Sequence, residues 1–177
     1  LFLLIDDLSN WYIRRSRRRF WKSQDDSDKN SAYETLWYVL YRISQVLAPW
    51  APFYSDHLYR LLTKGLDMPS SVHLTDWPES GSIDTSLLED MVQVRGYINE
   101  ALSQRSAAKI KVRQPLGLLE LPTLPAQLTS IVQDEVNVKH LEVGTEVHLH
   151  TELTPELIEE GLAREIVRHI QAARKSA

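Results

Sequence analysis

The sequence contains no cysteine, which excludes a disulfide scaffold and a thiolate zinc site and suits a reducing compartment. It has only six glycines in 177 residues. Neither a GxxxxGKS/T nor a GxGxxG pattern occurs, so no glycine-rich loop is there to cradle a phosphate. Long hydrophobic runs are missing as well. The opening run, Leu1 to Ile5, meets Asp6 and Asp7 at once, which is too short for a membrane span or a signal peptide. The chain starts on Leu rather than Met, inside what reads as a helix, and is expected to be cut from a longer one. What is present is ordinary for a folded domain: 43% apolar and 25% charged residues. A chain of this length buries roughly 70% of its unfolded surface, so it needs no covalent staples.

Catalytic constellations are scarce. Ser71, His73 and Asp76 are triad residue types, but they sit too close along one loop to converge. His148 and His150 would share one strand face, a metal pair without a third ligand nearby, which a solvated strand face explains equally. Glu156, Glu159 and Glu160 suit the first turn of a helix, where the backbone dipole favours negative charge. No catalytic residue and no metal site is expected.

Net charge is −4, which taken alone argues against a polyanionic partner. Its distribution argues the other way. Arg14 to Lys22 (RRSRRRFWK) holds six positive charges and no acid, and Arg105 to Gln114 (RSAAKIKVRQ) holds four more. Without the first block, 14 basic residues face 24 acidic ones. Positive charge focused on an acidic body points to a polyanion more strongly than a uniformly basic chain would. Five of the six cations in the first block are arginine, which suits bidentate phosphate contacts and stacking. Trp11 and Trp21 lie among or beside them, where a nucleobase can stack. In the second block, Lys109, Lys111 and Arg113 alternate with Ile110 and Val112 ahead of Pro115. This pattern predicts an extended segment with its cations on one face. A lysine-protected edge strand and a phosphate-binding strip both fit it.

Apolar spacing predicts a helix over 1–22, with Arg14, Arg15, Arg18, Arg19, Lys22 and Trp11 on one arc, Arg17 and Trp21 flanking it, and Phe2, Ile5, Leu8, Tyr12, Ile13, Ser16 and Phe20 on another. Further helices are expected at about 30–47, 53–64 and 84–107, stopped by Pro49, Pro52 and Gly65. A connection over 66–83 would be pinned by Val72, Leu74 and Trp77. Four amphipathic helices predict an antiparallel bundle. Beyond Lys109 the pattern changes to short strands at 118–121, 138–143 and 146–150 around a helix at about 126–135. A final helix begins at Thr154-Pro155 and carries the stripe Ile158, Leu162, Ile166 and Ile170. The fold class is thus mainly α: an antiparallel helical bundle, then a small α+β part and a C-terminal helix.

Several segments also carry a resemblance. DDLSNWYIRRSRRRFW (6–21), DKNSAYETLWYVL (28–40), APWAPFYSDHLYRLL (48–62), SVHLTDWP (71–78), KIKVRQPL (109–116) and EVNVKHLEV (135–143) together resemble the anticodon-binding region of class I isoleucyl-tRNA synthetases. RRSRRRFW with KVRQPL and NVK is similar to the branch found in eukaryotes, archaea and some bacteria. LTPELIEEGLAREIVRHIQAARK (153–175) is similar to the start of the C-terminal module. The resemblance implies a bundle domain over 1–107, a small subdomain over 108–151 and a truncated module from 152. It implies a cytoplasmic parent that activates isoleucine with ATP, charges tRNA(Ile) and edits misacylated valine. ATP, magnesium and zinc belong to that parent, because its HIGH and KMSKS signatures do not occur here; no cofactor is expected on this chain. Its partners would be the anticodon arm of tRNA(Ile) and the parent's other domains. The RNA-facing candidates are Asn10, Trp11, Arg14, Arg15, Arg17, Arg18, Arg19, Trp21 and Lys22, followed by Lys109, Lys111 and Arg113. The alternatives are the same region of a valyl or leucyl enzyme, or a non-catalytic helical module docking an acidic protein.

Overall fold

The computed structural model describes residues 6–22 and 26–176; the expected start at 1–5 lies outside them. The fold is mainly helical with one small sheet. Contacts divide the chain into two compact units, Leu1–Gly81 and Ser82–Ala177.

The first unit opens with a wide π-helical segment, Asp6–Ile13, that runs directly into α1, Arg14–Lys22. Helix α2, Asp26–Leu47, and α3, Pro52–Leu62, follow. Proline at the start of α3 is tolerated because the first-turn N–H has no helical partner anyway. Paired contacts run in opposite chain directions, so neighbouring helices are antiparallel. Between α2 and α3, Trp37 Nε1 donates to the Leu62 carbonyl at 2.9 Å, and one turn on Tyr41 meets Tyr59 at 5.7 Å between ring centroids. Between the first helix and α2, Tyr12 Oη donates to the Ala32 carbonyl at 2.8 Å, and further along the first helix Arg19 meets Asp28, earlier in α2, at 2.7 Å. The connection after α3 is pinned less by its apolar residues than expected. Val72 is buried, but Leu74 and Trp77 are exposed. The pin is Asp56 of α3, which accepts from Ser71 Oγ at 2.5 Å and Val72 N at 3.1 Å and pairs with Arg60 at 2.7 Å. Ser71 is therefore committed to the loop.

The second unit begins with α4, Thr85–Ala107, capped by the Asp84 carboxylate on Leu87 N at 2.9 Å. Strand β1, Leu116–Leu121, pairs in parallel with β2, Val138–Val143, and antiparallel with β3, His148–Leu149. Helix α5, Thr129–Val136, makes the crossover between β1 and β2 that a parallel pair requires. The second basic block is not the extended segment the alternation predicted. Lys109 adopts a left-handed conformation, φ 58°, just past the end of α4, and turns fill the stretch before β1.

The cause is Arg105. The inward stripe of α4 is Val94, Ile98, Ala101 and then Arg105, which is only 1% exposed. Its Nη1 donates to the carbonyls of Lys111 at 2.9 Å and Gln114 at 2.7 Å, and its Nη2 to those of Val136 at 2.7 Å and Asn137 at 3.3 Å. Burial pulls its pKa down, yet a guanidinium stays protonated in a protein. One turn back, Gln104 completes the edge strand: its amide donates to Val147 O at 2.7 Å and accepts from Leu149 N at 2.8 Å.

Helix α6, Pro155–Ser176, departs from its apolar pattern. Ile158, Leu162, Ile166 and Ile170 should face a core but are exposed. The opposite face docks instead. Leu157 and Gly161 are buried, and a Cβ at Gly161 would collide with the Gln114 amide. That amide donates to Leu157 O at 2.6 Å. Glu160 pairs with Lys139 at 2.6 Å, and Glu165 pairs with Lys111 at 3.3 Å. These polar contacts fix the rotation of α6.

Two outcomes follow. Arg105→Met takes the guanidinium from four carbonyls. Lys111 O and Asn137 O keep the backbone donors Gln114 N and Leu116 N, but Gln114 O and Val136 O lose theirs. This should cost about 2 kcal/mol or more, since each abandoned buried acceptor costs about 1–3. Chemical denaturation measures it, and a loss below about 1 kcal/mol would show the carbonyls satisfied without the guanidinium. The second concerns acid. Hydrogen bonds from Lys139 hold the Glu160 carboxyl below its ordinary value of 4.5, and bonds from Arg168 and Lys111 do the same for Glu165. A depressed folded-state value means this stabilisation is complete above about pH 4.5 and drains away as pH falls through the depressed values. Double replacement by Gln should flatten that acid limb of the stability curve; an unchanged limb would contradict the docking role.

Candidate nucleic-acid interface

From Arg14 onward the helix is α-helical, so residues at i, i+3, i+4 and i+7 share a face. Arg14, Arg17, Arg18 and Trp21 have that spacing, and all four are exposed. The opposite face carries the buried Ser16 and Phe20. The result is a single stripe of three guanidinium groups ending in an indole that is 82% exposed. Arg17 and Arg18 have no acidic partner among the described residues, while Arg14 Nε donates to the Asn10 carbonyl at 2.6 Å. An exposed cation row ending in an open aromatic face is what phosphates and an unstacked base require.

The other members of the first block lie elsewhere. Arg19 leaves the stripe to grip the start of α2. It reaches Asp28 at 2.7 Å and adds a bond to the Asp28 carbonyl at 3.2 Å, and this partner raises its pKa. Arg15 is half-buried. Trp11 also is half-buried, for a geometric reason. It lies in the π-helical segment, whose i→i+5 turn advances by less than the α-helical angle per residue, so an arc drawn with one period misplaces it. Asn10 is exposed and donates to Asp6 at 2.5 Å. Lys22 ends α1, and its side chain lies outside the described residues.

In the second block, Lys109, Lys111 and Arg113 are all exposed. Lys111 and Arg113 approach Glu165 of α6 at 3.3 and 4.0 Å. Arg105, which opens that block in the sequence, is removed from the surface altogether. The structure adds cations that spacing did not single out. Lys139 projects from β2, and Arg164 of α6 donates to the Asn137 side chain at 2.8 Å. Arg168 of α6 pairs with Glu165 at 3.1 Å. Asn137 is the hinge of this region. It ends α5 in a left-handed conformation, φ 57°, and donates to the Val112 carbonyl at 2.8 Å. Its place within the NVK motif was the one sequence signal for it.

His148 and His150 do share a face, with ring centroids 4.9 Å apart, but His150 is engaged with Glu120 at 2.7 Å. Among the described residues no group of three or more His, Cys, Asp or Glu could hold a metal ion. No described helix is long and apolar enough to cross a membrane.

Comparison with known proteins identifies the family. The family described as the anticodon-binding domain of tRNA ligase matches residues 1–120. The isoleucine–tRNA ligase of Dehalococcoides mccartyi strain CBDB1 is 42% identical over 96% of this chain. The enzyme of Clostridium acetobutylicum is 40% identical over 86% of it, and that of Clostridium novyi strain NT 37% identical over 97%. The matched regions make up 20%, 16% and 17% of those three relatives, so the chain spans about a fifth or less of their length. With the order of segments, the exposed arginine row and these matches in agreement, the chain belongs to the anticodon-binding domain family of tRNA ligases, as the anticodon-binding region of an isoleucine–tRNA ligase.

Proposed function

We propose that the chain binds the anticodon arm of tRNA(Ile) for a cytoplasmic, ATP-dependent ligase that joins isoleucine to that tRNA. The observation that carries this reading is the row Arg14, Arg17, Arg18 and Trp21, exposed together on one side of α1. Guanidinium groups give forked, charge-assisted bonds to phosphate oxygens, and the indole offers a stacking surface for a loop base. Lys109, Lys111 and Arg113 add a second cationic contact. ATP and magnesium serve the adenylation chemistry of the whole ligase, and zinc would be held outside this sequence, which has no cysteine. Arg19, with its guanidinium committed to Asp28, supports the helix carrying the row.

The test is a titration of a tRNA(Ile) transcript at several salt concentrations. Each of Arg14→Gln, Arg17→Gln and Arg18→Gln should flatten the dependence of log K on log salt by about 0.7–0.9, the contribution of one phosphate. Trp21→Ala should weaken binding by about 1–3 kcal/mol, the value of one base stacked on an aromatic ring, and leave the slope alone. Because these residues are exposed, stability should move by no more than about 0.5 kcal/mol. If the arginines matter but Trp21→Ala changes nothing, the row holds phosphates without a stacked base, and the stacking part of the reading fails. If none of the four changes tRNA affinity, the reading fails.

A further inference from the structure

A second charged surface lies within the second unit, assembled from parts far apart in sequence. The loop after α4 supplies Lys109, Lys111 and Arg113, β2 supplies Lys139, and α6 supplies Arg164 and Arg168. Two carboxylates of α6 tie these groups together. Glu165 contacts Lys111 at 3.3 Å, Arg113 at 4.0 Å and Arg168 at 3.1 Å. Glu160 contacts Lys139 and Arg164, each at 2.6 Å. Each glutamate thus joins a cation of the loop or strand to one of the helix.

Glu160, Arg164 and Arg168 stand one turn apart on one face of α6, so the two cations follow the carboxylate over successive turns. Beside Lys139 and Arg164 is a polar depression lined also by Gln133, Asp134 and Asn137. Five cations contact the two carboxylates, an excess of positive charge on a chain whose net charge is −4. Ion pairing for docking alone would need no such excess, since two carboxylates are satisfied by two cations. Gathering like charges is unfavourable by itself and becomes favourable against a polyanion.

We propose that Lys139, Arg164 and Arg168, with the loop cations, form a second binding site for the RNA phosphate backbone, in which Glu160 and Glu165 hold the cations in place. The proposal rests on the tRNA reading and extends it to residues that neither the first arginine block nor the KIKVRQ segment contains. The glutamates space the cations, and phosphates take the donor capacity that the glutamates leave open: lysine brings three N–H donors and arginine five.

The experiment is the salt-dependent titration of the intact chain with the tRNA(Ile) transcript, using two sets of substitutions. Lys139→Gln, Arg164→Gln and Arg168→Gln combined should flatten the salt slope by about two units, the equivalent of two to three phosphates, and lower affinity about tenfold or more at 0.1 M salt. Glu160→Gln with Glu165→Gln separates binding from docking. Because it removes no cation, the double variant should keep the full salt slope, while affinity falls severalfold as the cations lose their spacing. If the cations only dock α6, the double variant should lose slope in parallel with the triple one, and that result overturns the proposal. An unchanged slope in the triple variant overturns it as well. A loss with Arg14, Arg17 and Arg18 variants but none here removes this site and leaves the α1 reading standing; no loss in either set removes both.

Discussion

A single buried guanidinium organises the second half of this chain. Arg105 sits where the inward stripe of α4 calls for a fourth apolar residue, and it is charged instead. Burying that charge is costly unless its donors are answered. Carbonyls of two separate segments answer both Nη groups: Lys111 and Gln114 in the basic loop, Val136 and Asn137 at the end of α5. Nε is buried without a partner. The geometry of the fork sets where both segments lie, and with them the start of β1 and β2. Gln114, held through its carbonyl, uses its side chain to receive α6 at Gly161. From α4 to α6 the order of construction follows from this one residue. A lysine at 105 could not do the same, because an ammonium lacks the planar fork that reaches two pairs of carbonyls.

Positive charge reaches the surface by two different physical routes. On α1, helical periodicity does it alone: three arginines and a tryptophan share a face because they fall at i, i+3, i+4 and i+7. Arg19, one residue from that face, becomes an anchor through Asp28. In the second unit no single element carries the charge, and tertiary contacts assemble it around Glu160 and Glu165. An acidic body keeps both surfaces distinct, which concentrates attraction for a polyanion where the cations are.

Local signals were legible in the sequence, and tertiary ones were less so. Prolines, the Asp84 cap and the change of period after Lys109 located most helices and the strands closely. The arginine cluster was visible because it lies on one helix, but the arc was drawn through Arg15 and Arg19, which are half-buried, and left the exposed Arg17 and Trp21 at its edge. Trp11 is half-buried in a π-helical turn, which leaves no mark in an apolar pattern read with one period. The basic loop was read as extended because alternation of charged and apolar residues carries no information about a distant guanidinium. The α6 stripe pointed the wrong way for a related reason: its polar face has partners on β2 and the basic loop that a helix read in isolation does not reveal. Arg105 itself had a signal, the spacing of Val94, Ile98, Ala101 and position 105, but its charge placed it with the surface residues.

The most direct measurement of the central claim is nuclear magnetic resonance of the 15N-labelled chain titrated with the anticodon stem-loop of tRNA(Ile). The five tryptophans give separate indole N–H signals, and Trp21, Trp50 and Trp77 are all largely exposed. Exposure alone therefore does not decide which of them responds. The account predicts that the Trp21 indole and the Nε–H groups of Arg14, Arg17 and Arg18 shift together, while Trp50 and Trp77 stay in place. Shifts at Trp50 or Trp77 with a silent Trp21 would contradict it.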